Sequence, residues 1–260
     1  MCLGRLVTVV EALALVVAGV VAGMVSTVVG LASVVSYPAL LAIGLPPLSA
    51  NMTNTVALLF TGAGAAVGSR PELTGQGARI RRLAVITALG GGVGAALLLI
   101  TPSQTFERVA PVLIAAASVA LLVRPQSGGR KPGHDPPRHV ARNPSLLAGV
   151  FGVAVYVGYF GAAGGILMLA LLAAMVSEPL ARTNAVKNIL GAVANVVAAA
   201  AFAVLGHVDW AAVAPLAAGF IVGGWIGPAL VRRIPGQVLR IVVAICGLAV
   251  AVTLGISAYR

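Results

Sequence analysis

Two short stretches carry the residue types that could do chemistry. The first reads Pro46-Pro47-Leu48-Ser49-Ala50-Asn51-Met52-Thr53-Asn54-Thr55. The second reads Pro179-Leu180-Ala181-Arg182-Thr183-Asn184-Ala185-Val186-Lys187-Asn188. In each, amides follow a proline. Proline is cheap at a helix start, because the first N–H groups have no helical partner anyway. Asn51 and Asn184 lie five residues beyond Pro46 and Pro179, and Asn54 and Lys187 lie eight beyond. At about 1.5 Å per residue the latter pair sits roughly 12 Å into its helix. Neutral donors joined by one ammonium, behind helix N-termini that favour negative charge, suit the binding and release of a small anion. Asn51, Thr53, Asn54, Asn184, Lys187 and Asn188 are therefore the candidate substrate-binding residues.

Covalent chemistry has no comparable constellation. The sequence contains no HExxH, GxSxG or P-loop pattern. Cys2 and Cys246 have no metal-ligand spacing, and His134, Asp135 and His139 fall in a polar stretch as solvated loop residues. The expectation is a protein that is not an enzyme, with no cofactor, no metal and no ATP machinery.

The elements that must hold these residues follow from composition. The chain is 60% hydrophobic and 9% charged over 260 residues, with mean hydropathy +1.05. Soluble domains carry about 25% charged residues, so a soluble enzyme, a disordered chain and a coiled coil are excluded. Ten apolar segments lie near 6–29, 31–45, 48–69, 83–100, 105–123, 144–160, 163–177, 185–206, 210–231 and 238–258. Most match the ~20 residues that cross a bilayer. The first is longer than the roughly 7–15-residue core of a signal peptide and reads as a membrane helix. Segments 31–45 and 163–177 cover only about 22 Å of a ~30 Å hydrocarbon core. They are tilted and thinly spanning, or parts of broken, re-entrant elements. Gly30 before the first, Gly161, Gly164 and Gly165 before the second, and Pro38 inside the first are the candidate backbone hinges. The polar, Pro- and Arg-rich stretch 124–143 separates a first transmembrane repeat, 1–123, from a second, 144–260.

The halves are copies. At a constant offset of 133 residues, Pro46 meets Pro179, Asn51 meets Asn184, Gly90, Gly91 and Gly94 meet Gly223, Gly224 and Gly227, and Pro102 meets Pro235. Five segments per copy make the second copy enter the membrane inverted. Charge agrees. Connector 70–82 is Arg-rich while its counterpart, 206–210, holds His207 and Asp209; 231–240 is basic while 101–108 is mixed. Placing basic loops in the cytoplasm puts 124–143 inside and both termini outside. The net charge of +11 is topological on this reading and implies no nucleic acid. The expected fold is an all-α, polytopic transmembrane protein of two inverted repeats, with short or broken helices at the centre and a lipid bilayer around it; self-association into a homo-oligomer is left open. Inverted repeats place a transporter's site near the bilayer midplane, between the halves. Polar residues at that depth line a pathway or serve as interhelical glue; Asn195, opposite Gly62 in the repeat, fits either role, and Lys187 could also snorkel to the cytoplasmic face. The glycine clusters at 90–94 and 223–227 mark close helix packing.

In its motifs the chain resembles the TauE/SafE, or sulfite exporter, family of membrane transporters. The resemblance rests on Gly30, Pro38-x-Leu40, Gly44-Leu45-Pro46 and the Ala/Asn/Thr stretch at 50–55. It rests equally on the second copy, Gly161-x-x-Gly164-Gly165 followed by Arg182-Thr183-Asn184-Ala185-x-Lys187-Asn188. Two features depart from the pattern: the first-half glycines are reduced to Gly30, and Pro38 has Leu171 as its counterpart. The resemblance implies export of small anions, such as sulfite or organosulfonates, across a bacterial inner membrane. A second reading is a non-transporting membrane subunit that anchors a partner through 124–143.

Overall fold

The computed structural model describes residues 8–28, 32–68, 73–123, 144–161, 164–175, 179–231 and scattered helical positions between 241 and 256. Gly30, the connector 124–143 and the basic segment 232–240 lie outside the described residues. In chain order the first half forms α1 (Val9–Val28), α2 (Ala32–Ala42), α3 (Pro47–Gly68), α4 (Gly77–Ile100) and α5 (Ser103–Val123). The second forms α6 (Pro144–Tyr159), α7 (Gly164–Met175), α8 (Leu180–Leu205) and α9 (Trp210–Val231). Among the described residues there is no strand. By length and composition, Val9–Thr27, Gly77–Ile100 and Arg182–Leu205 can each cross a membrane.

Helix boundaries follow local chemistry more closely than apolarity. Thr8 and Glu11 form a capping box at the start of α1. The Glu11 carboxylate accepts from the Thr8 N–H at 2.8 Å, and the Glu11 N–H reaches Thr8 Oγ1 at 3.3 Å; orphan N–H groups are satisfied reciprocally this way. The Pro46 carbonyl receives the first helical bond of α3, from Ala50, with Pro47 inside the first turn. Asp209 caps α9 through the Ala212 N–H at 3.1 Å. Helices α4 and α8 begin five or six residues before their apolar segments, because Arg79, Arg81, Arg82 and Arg182 ride in their opening turns. Arg79, expected as a loop charge, is 6% exposed and donates to Gln76 Oε1 at 3.1 Å.

The short segments stay short. At about 1.5 Å per residue, the 11 residues of α2 and the 12 of α7 span roughly 16–18 Å. Helix α2 ends in a Schellman motif: Leu45 N–H bonds Leu40 O, Gly44 N–H bonds Leu41 O, and Gly44 takes φ 86°. That left-handed conformation is nearly free for glycine and strained for other residues. Gly161, at φ 74°, does the same after α6.

Packing repeats between the halves and fixes their relative sense. Helix α1 lies on α9, as α6 lies on α4; α9 lies on α3, as α4 lies on α8. Under the 133-residue offset these pairings exchange with one another. Where α3 meets its own counterpart, Ser49 and Thr53 at its start bond His207 and Asp209 just past the end of α8, while Gly62, further along, faces Ala192. Equivalent helices thus run antiparallel, which makes the repeats inverted. Glycines permit the approach. A Cβ on Gly90 would stand 2.7 Å from Phe151 O of α6, one on Gly91 2.9 Å from Ala194 O of α8, and one on Gly23 2.9 Å from Phe220 O of α9. Large side chains face outward instead: Val85, Leu89, Val93 and Leu97 make an exposed stripe on α4, opposite buried Gly90, Gly91 and Gly94. Small residues inside and large ones outside suit a protein whose solvent is lipid.

Candidate functional site

The ends of α1 and α6 and the starts of α2 and α7 converge on one place. A cavity of about 80 Å³ opens between Ser26 and Thr27 at the end of α1, Ala32 and Ser33 at the start of α2, and Leu58, Thr61 and Gly62 halfway along α3. From the second half come Val157 and Gly161 at the end of α6, Gly164, Gly165 and Met168 of α7, and Lys187, Asn188, Leu190, Gly191, Ala192, Ala194 and Asn195 of α8. A water needs about 10–15 Å³ of such space, so several waters or one small polyatomic ion fit. The offset pairs Leu58 with Gly191, Thr61 with Ala194 and Gly62 with Asn195. The cavity therefore sits on the pseudo-twofold axis, where the halves exchange.

The expected substrate residues divide between this cavity and the scaffold. Lys187 and Asn188 line it, together with the hinge candidates Gly161, Gly164 and Gly165. Lys187 is 3% exposed, so it does not snorkel to the surface. Asn195 also lines the cavity. Asn184 lies one turn before Lys187, with Oδ1 buried and no hydrogen bond to it among the described residues.

Asn51, Thr53 and Asn54 instead tie helices together. Asn51 Nδ2 donates to Tyr159 O at 3.0 Å, joining α3 to the last turn of α6. Thr53 Oγ1 accepts from the Asp209 N–H at 3.0 Å, at the entry to α9. Asn54, 0% exposed, spends both ends of its amide on α2. Its Nδ2 donates to Ser33 Oγ at 3.1 Å, and Ser36 Oγ lies 2.6 Å from its Oδ1. Pro38 sits inside α2, two residues past Ser36. Sequence spacing places these residues at the right depth but leaves open which face of α3 they occupy, and their partners occupy them here.

The two halves differ at this point. Asn54 and Lys187 are counterparts, but the positions equivalent to Ser33 and Ser36 are Ile166 and Leu169. The first half bonds its amide to two serines of α2. The second sets an ammonium in the wall of the cavity and gives it an apolar α7. Hydroxyls of Ser26, Thr27, Ser33 and Thr61 complete a lining that holds no carboxylate. Such a wall offers donors and positive charge to a small guest. Ser26, Thr27, Ser33 and Thr61 were not singled out by sequence spacing. The available signal was hydroxyl residues near the end of α1, at the start of α2 and beside Gly62.

An aromatic cluster lies next to the cavity wall. Tyr37 of α2 meets Phe160 edge-on at 5.7 Å, and Phe106 of α5 packs on Phe160 at 5.7 Å and on Tyr159 at 6.1 Å. It joins α2, α5 and the α6 end beside Gly161.

Comparison with known proteins agrees with this architecture. The chain is 25% identical over 241 residues, 92% of its length and 90% of the other's, to "Probable membrane transporter protein ORF9" of a Sinorhizobium species. It is 25% identical over 236 residues, covering 87% of this chain and 88% of the relative, to a "Probable membrane transporter protein" of Haemophilus influenzae. It is 24% identical over 225 residues to "Probable membrane transporter protein YfcA" of Escherichia coli K12, covering 86% of this chain and 82% of that one. No solved structure matches. The model of the family described as "Sulfite exporter TauE/SafE" matches residues 15–254, nearly the whole chain, and with these helices it shows that the protein belongs to the TauE/SafE family of membrane transporters.

Proposed function

We propose that this transporter exports small sulfur-containing oxyanions, sulfite or organosulfonates among them, through the cavity between its halves. The observation that carries the reading is Lys187, an ammonium in the wall of a mid-helix cavity whose other polar groups are hydroxyls and amides. Polar groups at membrane depth face partners or a water-filled path, and a cation in a lining without carboxylates attracts an anion. Asn188 and Asn195 add neutral donors beside it. Residues 1–123 and 144–260 act as the two moving units, with Gly161, Gly164 and Gly165 as the pliant backbone. The membrane is the bacterial inner membrane. The basic loops, including 124–143, face the cytoplasm, and both termini lie outside. Asn51, Thr53 and Asn54 serve the pathway indirectly, by holding α2, α6 and α9 around it.

The test is purified protein in liposomes, screened with sulfite, sulfate, thiosulfate, sulfoacetate and carboxylates. Wild type is expected to carry at least one sulfur oxyanion, and Lys187→Ala to lower that flux at least tenfold with unchanged insertion and melting. Equal flux in wild type and Lys187→Ala, or preference for carboxylates over every sulfur oxyanion, overturns the reading.

A further inference from the structure

Four buried threonines donate their hydroxyls to their own helices, and a fifth, Thr53, accepts from the Asp209 N–H. Thr55 Oγ1 donates to Asn51 O, Thr87 to Leu83 O, Thr183 to Pro179 O and Thr27 to the carbonyls of Gly23 and Met24. Thr61 departs from that habit. It is 4% exposed, and its Oγ1 is buried with no hydrogen bond among the described residues. A helical threonine has a free choice of the carbonyl four residues back, so an unmet hydroxyl in mid-helix needs a cause. A buried donor left unsatisfied is destabilising.

Its surroundings supply the cause. Gly224 of α9 packs against the backbone and the methyl Cγ2 of Thr61, each 3.3–3.5 Å from where a glycine Cβ would stand. The methyl thus meets α9. Thr61 also borders the cavity, on the pseudo-twofold axis, in a wall shared with Lys187. Its counterpart is Ala194, so the second half brings no matching hydroxyl.

We propose that the Thr61 hydroxyl is a substrate donor that works with Lys187, so that the site selects an anion with at least two acceptor oxygens over a spherical one. The inference rests on the anion-transport reading above and adds to it a specificity-determining residue. Lys187 attracts charge of any shape, whereas a second donor in the lining, the Thr61 hydroxyl, rewards a second oxygen. Substrate occupancy would give Thr61 the partner it lacks here.

The experiment uses the full chain in liposomes, with sulfite and chloride as the two probes and melting followed on the same preparations. Thr61→Val keeps the shape and removes the hydroxyl; Thr61→Ser keeps the hydroxyl and removes the methyl. Thr61→Val is expected to raise KM for sulfite about tenfold, with maximal rate changed less than about twofold and chloride flux unchanged. Thr61→Ser is expected to retain wild-type KM. A purely structural role would move both probes together and would not be rescued by serine. If Thr61→Val melts early, the sulfite-induced rise in melting temperature of Thr61→Ser against Thr61→Ala decides the matter: serine keeps the rise and alanine loses it. Wild-type sulfite KM in Thr61→Val, or equal sulfite-induced rises in serine and alanine variants, overturns this inference while Lys187→Ala still tests the transport reading. Absence of sulfite flux in wild type sinks the Thr61 assignment.

Discussion

Asn54 and Lys187 occupy one position of an ancestral repeat and now do different work. Asn54 is locked by Ser33 and Ser36, while Lys187 stands in the cavity wall. Removing the Asn54 amide therefore acts on stability. Asn54→Leu is expected to cost about 1 kcal/mol, within the ~0.6–1.7 kcal/mol of hydrogen bonds between membrane helices, read as a lowered melting temperature with substrate KM unchanged; a raised KM without a melting change would reassign Asn54 to substrate. Gly191 gives the opposite case. It lines the cavity, and a Cβ there would meet nothing within 4 Å, whereas its counterpart Leu58 fills its share of the space. Gly191→Leu is expected to lower flux at least tenfold with melting preserved, measured in the same liposomes, and undiminished flux would place the path elsewhere. Of the residues singled out by spacing, Lys187 and Asn188 line the cavity, a charge and an amide that stand out in an apolar run. Thr61 and Ser33 were not legible, because a hydroxyl in an apolar run is ordinary and only the folded contacts separate a lining group from a back-bonded one.

Glycine decides how closely the helices approach. Gly158 faces the backbone of Gly91 across the α4–α6 contact, whereas Gly152, on the same helix, has open space where its Cβ would be. Alanine improves helix propensity by about 0.5–1 kcal/mol over glycine when nothing else changes. Gly152→Ala should thus hold or raise the melting temperature, while Gly158→Ala should lower it sharply; equal melting of the two would refute the close-packing account. Tyr37 belongs to this scale as well. Its ring packs on Phe160, and its hydroxyl is buried without a hydrogen bond among the described residues. Tyr37→Phe keeps the ring and removes the unmet group, so melting should rise or hold, by up to about 1–3 kcal/mol. Loss of stability would reveal a partner for the hydroxyl. Nine of the ten apolar segments correspond to α1–α9, and the tenth, 238–258, is described only at scattered positions. The start of α8 was marked by Pro179, whereas that of α4 was missed, since arginines in a first helical turn look like loop to a hydropathy window.

On the proposed function, transport depends on inversion, a property of the whole molecule. The constant 133-residue offset was visible in punctuation residues, which chance does not align, and the antiparallel meeting of α3 with α8 agrees with it. The proposed orientation places the basic loops in the cytoplasm, so a reporter fused after Arg260 should report an extracytoplasmic C-terminus, and a cytoplasmic signal would reverse the orientation. The central claim is that the space between the inverted halves is the route of the anion. Asn195→Cys, with Cys2 and Cys246 replaced by serine, tests it most directly. A water-soluble, sulfonate-bearing thiol reagent added to proteoliposomes should label Cys at 195 and abolish flux, while Val204→Cys on the exposed outer face should leave flux intact. Full flux after labelling of Asn195→Cys, or no reaction there, would contradict the account.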